Sequence, residues 1–226
     1  MLCRVTRLLS IPPLYKSSIF TTTSARHTLL REFVTKRPVD SQVRAIKDAC
    51  SFQKALELLN NMGRDASLDA YHAAISVCSR DKQPLQSRSL LTKLKSAGLV
   101  PTVFTYSQVM SPFAKAGCWE EAVQLLASLK AEGLRPNSYI YNNLISAYGK
   151  GGQWEKAFEL LNSMQDTGVK PDIISYSAAI SACEKGGQWE KALELFNSMQ
   201  ANGVKPNVFS YSAAISACGK GRQWEK

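Results

Sequence analysis

The sequence predicts an all-α protein, a solenoid of tandem helix-turn-helix units, and three observations predict it. First, a pattern of thirty-five residues is written twice between Ser138 and Asn207. GlyGlyGlnTrpGluLysAla at 151–157 returns at 186–192, and SerTyrSerAlaAlaIleSerAlaCys at 175–183 returns at 210–218. A fixed period of this length marks an array in which each unit buries its apolar face only against its neighbours. Second, apolar residues inside a unit recur at spacings of three and four. Third, glycine and proline fall at fixed register points, where they end helices.

Taken from the start, the chain opens on a basic leader. Of a net charge of +10, six lie before Pro38, where Arg4, Arg7, Lys16, Arg26, Arg31, Lys36 and Arg37 face the single acid Glu32. This stretch is rich in Ser, Thr and Arg and begins with a pattern suited to an amphipathic helix, so residues 1–35 read as an organelle transit peptide, with a disordered basic leader as the alternative. The arginine-based pattern points to the mitochondrion before the plastid. Pro12, Pro13 and Lys16 break the only apolar run there, and no segment is apolar for long enough to cross a bilayer.

Residues 36–67 read as a degenerate first unit. GlnLysAlaLeuGluLeuLeuAsnAsnMet at 53–62 matches the later LysAlaLeuGluLeuPheAsnSerMet, but the following turn is shorter, as expected of a terminal unit with one unburied face. Regular units then occupy 68–102, 103–137, 138–172 and 173–207, and a truncated one covers 208–226. In the unit at 173, Tyr176, Ile180 and Cys183 form the apolar stripe of a first helix. Trp189, Ala192, Leu193, Phe196 and Met199 form that of a second, which Gly203 and Pro206 stop. The pairs Gly151-Gly152 and Gly186-Gly187 suit the left-handed position that ends a first helix. Phe158 and Leu161 exchange for Leu193 and Phe196 one unit on, which keeps the packed volume nearly constant. Trp119, Trp154, Trp189 and Trp224 open the second helices beside core alanines and read as inter-unit packing rather than base-stacking platforms.

The other face of the first helices carries the functional signal. Positions 2, 5, 9 and 13 of a unit share one side of a helix. Position 2 is Phe104, Tyr139, Ile174 and Phe209; position 5 is Ser107, Asn142, Ser177 and Ser212; position 9 is Ser111, Ser146, Ser181 and Ser216; position 13 is Lys115, Lys150, Lys185 and Lys220. Stacked helices would line a groove with apolar platforms, short hydrogen-bonding groups and a ladder of lysines. That combination suits a single-stranded nucleic acid, whose bases stack and whose phosphates need cations. A solvated face copied by duplication accounts for the two near-identical units, but not for the same residue classes in the more divergent unit at 103.

These residues carry a resemblance. The thirty-five-residue period, the SerTyrSerAlaAlaIleSerAlaCys first helix, the LysAlaLeuGluLeuPheAsnSerMet second helix and the GlyValLysProAsn ending closely resemble the pentatricopeptide repeat, well over residues 68–226 and poorly over 36–67. The resemblance implies a right-handed α-solenoid that binds single-stranded RNA in mitochondria or plastids, one base per repeat. It further implies that the fifth and last residues of a repeat select the base while the second sandwiches it. Ser107 with Asn137 would then favour adenine, Asn142 with Asp172 uracil, Ser177 with Asn207 adenine, and Ser212 a purine. Phe104, Tyr139, Ile174 and Phe209 would sandwich, and Lys115, Lys150, Lys185 and Lys220 would meet phosphates.

Two departures stand against a complete transfer. The unit at 68 presents Asp69, His72 and Thr102, a set with no assignable base, in which His72 and Asp69 read as a solvated pair. Pro112 lies inside a first helix, where it should kink or shorten it. The sequence stops at Lys226 inside a second helix, which reads as the front part of a longer array or a truncated product.

Catalytic chemistry finds no footing in the sequence. It has only His27 and His72, no Cys-x-x-Cys pair for a deaminase zinc, no nucleophile arrangement and no phosphate loop, so no catalytic residue, metal or cofactor is assigned. Cys78, Cys183 and Cys218 share one core position and read as packing residues. Glu155, Glu190 and Glu225 recur beside lysines as solvated charge pairs. Two functions remain: RNA binding that supports processing, stability, editing or translation of an organellar transcript, with further protein factors, and a helical scaffold that holds a protein segment in the same groove. An enzyme would need a catalytic domain beyond Lys226.

Overall fold

The computed structural model describes residues 38–221; the leader and the segment holding Trp224, Glu225 and Lys226 lie outside the described residues. Among the described residues there are eleven α-helices and one 3-10 turn: α1 (Pro38–Lys47), α2 (Phe52–Met62), the turn Gly63–Asp65, α3 (Leu68–Arg80), α4 (Pro84–Ser96), α5 (Val103–Ala116), α6 (Trp119–Ala131), α7 (Ser138–Lys150), α8 (Trp154–Asp166), α9 (Ile173–Lys185), α10 (Trp189–Ala201) and α11 (Val208–Lys220). A boundary between Ala45 and Ile46 divides the chain into two structural units, and the second, from Ile46 onward, carries the array.

The odd-numbered helices from α3 on start at residues 68, 103, 138, 173 and 208, and each stacks on the next. Each even-numbered helix from α4 on packs against the helix before it and the helix after it, and meets the next even-numbered helix only through long side chains, as where Lys156 lies over the Trp119 ring and Lys191 over the Phe158 ring. The array is therefore two rows, a continuous inner row of first helices and an outer row of second helices that wedge between them.

Local chemistry dictates both helix starts. Every first helix opens on a side-chain cap, from Ser67, Thr102, Asn137, Asp172 or Asn207, whose oxygen accepts an orphan backbone N–H of the first turn. The second helices α4, α6, α8 and α10 lack such a cap and open instead on Pro84, Trp119, Trp154 or Trp189. Their ends close through Gly98, Gly133, Gly168 and Gly203, all at positive φ, with the following N–H turned back onto the helix, as in Val169 N to Met164 O at 3.0 Å.

The core runs along the array as repeated positions. Tyr106, Tyr141 and Tyr176 are buried in the first helices, and Leu94, Leu129, Met164 and Met199 in the second. Ala122, Ala157 and Ala192 share one fully buried position, which α4 fills with Ser87; its hydroxyl donates to Pro84 O at 2.7 Å, so the buried polar group is satisfied. In α10 the buried leucine is Leu195, while Leu193 and Phe196 are half-buried, a register one step off the expected stripe. Cys78 and Cys183 are buried, and burial pushes both thiols up to about 11, as expected of packing residues.

The glycine pairs divide their labour. Only the second of each pair, Gly152 or Gly187, takes the left-handed conformation. The first makes room for a tryptophan of the preceding unit: a Cβ on Gly151 would lie 2.5 Å from Trp119 Cδ1, on Gly186 2.4 Å from Trp154 Cδ1, and on Gly221 2.4 Å from Trp189 Cδ1. Where the preceding second helix opens on Pro84 instead, the same register holds Ala116. Trp119, Trp154 and Trp189 are thus inter-unit wedges.

Pro112 neither ends nor shortens its helix. At 14 residues α5 is the longest helix of the array, and it closes past the proline at Gly117, with Cys118 N on Phe113 O at 3.0 Å. Pro112 is buried beside the fully buried Phe113 and Met110, and this packing outweighs a local penalty of about 3 kcal/mol.

Candidate nucleic-acid interface

The first helices expose one face of large apolar side chains. Phe104, Tyr139, Ile174 and Phe209 sit in the first turns of α5, α7, α9 and α11 and are 55, 66, 55 and 75% exposed. Repeated large apolar groups left to water along one face mark a surface that binds something. Between α9 and α11 lies a cleft of about 520 Å³ that brings together Ile174, Phe209, Ser177, Asn207 and Ser212, with Ser181 and Ser216 also in its lining.

The last residue of each unit has a structural duty that the sequence reading missed. Asn137, Asp172 and Asn207 are the caps of α7, α9 and α11, so each belongs by sequence to one unit and by hydrogen bonding to the next. Asp172 Oδ1 accepts from Ile174 N and Ser175 N, both at 2.9 Å, and Asn207 Oδ1 from Ser210 N at 2.9 Å. The signal was present in the sequence as an Asn or Asp directly before each apolar first turn.

At position 5, Asn142 is buried and donates through Nδ2 to both carboxylate oxygens of Asp172, at 3.2 and 3.4 Å, so the pair assigned to one base is joined. Ser177 Oγ meets Ser210 Oγ at 2.9 Å, whereas Ser107 Oγ turns back to Phe104 O at 2.8 Å. His72 is not a solvated partner of Asp69. Its Nε2 meets Thr105 Oγ1 at 2.9 Å, and its ring stands edge-on to Phe104 with centroids 5.0 Å apart. Burial lowers its pKa, partly opposed by Asp69, because desolvation by the next helix outweighs one exposed carboxylate.

The lysines form a charged margin with unequal members. Burial lowers the Lys150 pKa, and Lys185, Lys115 and Lys82 push it the same way, so these four cations share one field. Lys82 was missed because it lies two residues out of the periodic register, in a turn at φ +54. Lys115 Nζ reaches Ser79 O at 3.2 Å and Lys150 Nζ reaches Lys115 O at 3.4 Å; each covers a carbonyl at the end of the preceding first helix, where cations are favoured. Lys220 differs: it is ion-paired with Glu184, whose carboxyl its hydrogen bond holds below the usual range. Among the described residues no group of His, Cys, Asp or Glu could hold a metal, and no helix is long and apolar enough to cross a membrane.

Capped helical hairpins at a period of thirty-five, wedged by tryptophan and exposing one apolar and cationic face, define a right-handed α-solenoid of the repeat type. Residues 136–185 and 173–220 match the PPR repeat family, and residues 89–151 match the pentatricopeptide repeat domain. The chain belongs to the pentatricopeptide repeat family. Among solved structures it resembles the pentatricopeptide repeat protein PPR10 in complex with an 18-nt psaJ RNA element, at 27% identity and a TM-score of 0.65, over 89% of this chain and 30% of that one. It also resembles the PPR domain of Arabidopsis thaliana protein-only RNase P 1 in complex with tRNA, at 16% identity and a TM-score of 0.63, over 85% of this chain and 98% of that domain. The chain thus spans less than a third of the PPR10 chain. No curated protein sequence matches it.

Proposed function

We propose that this chain binds single-stranded RNA along the inner row of first helices, one base per unit, and serves an organellar transcript. The observation that carries this is the cleft between α9 and α11, where two exposed apolar groups, Ile174 and Phe209, flank Ser177 and Asn207. A base fits such a slot, with its faces against apolar groups and its edge toward short polar ones. The RNA-bound PPR10 structure supports the reading by analogy. Read in order, Ser107/Asn137, Asn142/Asp172 and Ser177/Asn207 favour 5′-AUA-3′, with a purine after it at Ser212. The basic leader supports import into an organelle, the mitochondrion before the plastid. The face has the features of a binding surface rather than of a catalytic one, and its product is an occupied or remodelled transcript, together with further protein factors.

The test is binding of the full chain to short RNAs containing AUA, UAU or CCC across a salt series. Preference for AUA, moving toward a purine at the middle base in an Asn142→Ser variant, is the expected result. A folded protein that binds none of the three at low salt refutes the proposal and redirects the search to peptides in the same groove.

A further inference from the structure

Thr105, Ser175 and Ser210 are fully buried hydroxyls at the third residue of α5, α9 and α11. A buried hydroxyl destabilises unless it is bonded, and each of these is bonded in two directions. Toward its own helix it completes the cap, with Thr105 Oγ1 accepting from Thr102 N at 3.1 Å, Ser175 Oγ from Asp172 N at 3.1 Å, and Ser210 Oγ from Asn207 N at 3.4 Å. Toward the preceding unit it meets the fifth residue: Thr105 with His72 at 2.9 Å, Ser175 with Asn142 at 2.6 Å, Ser210 with Ser177 at 2.9 Å. The cap also offers the hydroxyl proton an acceptor, Asp172 Oδ1 at 3.0 Å from Ser175 Oγ and Asn207 Oδ1 at 3.0 Å from Ser210 Oγ, but the fifth residue lies nearer in both, at 2.6 and 2.9 Å.

At Asn142 this decides which way the amide faces. A carboxylate only accepts, so Nδ2 must face Asp172, while Oδ1 accepts the Ser175 proton. The two N–H bonds of an amide diverge too widely to meet one carboxylate together, so one N–H is shared between the two Asp172 oxygens and the second is left for a base. That N–H matches the carbonyl oxygen at position 4 of uracil and opposes the amine that cytosine carries there. The unit at 103 lacks the device, because α7 places the fully buried Ile140 at the third position. Ser107 accordingly donates to its own helix, at Phe104 O, rather than to the next unit.

We propose that the third residue of each following first helix is a positioning residue for base selection: Ser175 holds Asn142 as a donor for uracil over cytosine, and Ile140 leaves the Ser107 site the less discriminating. This rests on the RNA-binding reading above. The experiment compares the wild-type chain with Ser175→Ala, Ser175→Thr and Ile140→Thr, each checked for its melting curve, on RNAs that carry AUA or ACA, and AUA or GUA. The uracil-to-cytosine affinity ratio should fall about fivefold in Ser175→Ala, the worth of one hydrogen bond, and return in Ser175→Thr. The adenine-to-guanine ratio at the first base should change in Ile140→Thr. Without RNA, the Asn142 side-chain amide should lose its exchange protection in Ser175→Ala. Equal losses on both RNAs, or an unchanged amide, make Ser175 a purely structural cap and overturn the inference. A wild-type chain with no preference between AUA and CCC instead overturns the RNA reading, and the inference with it.

Discussion

Replacing Gly186 by alanine separates packing from backbone conformation. Gly186 lies at φ −75 and ψ 0, where alanine is at ease, and in open space the change would be neutral or stabilising by about 0.4–1 kcal/mol through the unfolded chain. The added Cβ, however, would lie 2.4, 2.6 and 3.0 Å from Cδ1, Cγ and Cβ of Trp154. Ordinary carbon contacts lie about 3.5–4.0 Å apart, and Trp154 Cβ is anchored at the start of α8, so rotating the indole does not relieve every contact. Overpacking of this kind costs about 1–3 kcal/mol, which leaves a net loss of about 1–2 kcal/mol. Gly187→Ala loses a similar amount for a different reason: its φ of +70 strains any side chain by about 1–2 kcal/mol, while nothing lies within 4 Å of the new Cβ. Urea unfolding followed by far-ultraviolet circular dichroism, repeated in a Trp154→Ala background, distinguishes the two. The Gly186→Ala loss should vanish there and the Gly187→Ala loss should persist. A Gly186→Ala protein as stable as wild type, or one that loses as much without the indole, refutes the wedge.

Replacing Lys115, Lys150 and Lys185 together by alanine should weaken RNA binding and lower the salt-dependence slope by about 2, since each phosphate contact on a single strand contributes about 0.7. Lys220→Ala should leave that slope nearly unchanged because Glu184 already pairs it, and Glu184→Gln should raise affinity by releasing it; filter binding across a salt series reads both. Tyr139→Ala should cost about 1–3 kcal/mol of RNA affinity whatever the base, through lost stacking, with the melting temperature preserved because the ring is 66% exposed. His72 should titrate below 6.5 by NMR, and lower still in Asp69→Asn. Because the folded-state value is the depressed one, the unfolded chain takes up the proton first. The His72 contribution is complete above 6.5 and is lost as the pH falls through that value toward the folded one.

Periodicity made the hairpins legible, because core positions such as Tyr176, Ala192 and Met199 must recur wherever units bury only against one another. The exposed face was legible for the same reason: Phe104 and Tyr139 recur at one register point although more than half of each stays exposed. What escaped the sequence reading lies between units. Gly186 answers to Trp154, thirty-two residues earlier, and Ile140 to Ser107, thirty-three earlier, so neither constraint shows inside one repeat. Pro112 misled because a propensity penalty is local, whereas the burial that overrides it is not. The inequality of Lys220 among the lysines depends on Glu184, a side chain that its repeat-mates replace with Ala114 and Gly149.

The caps at Thr102, Asn137, Asp172 and Asn207 carry one more consequence. A residue that must start a helix is confined to the few side chains that can accept from a bare N–H, chiefly Asn, Asp, Ser and Thr. If the same residue also chooses a base, its vocabulary is fixed by helix initiation before any nucleotide arrives. An array of this kind can change its target cheaply only within that vocabulary, and a step outside it would loosen the next unit while rewriting the letter.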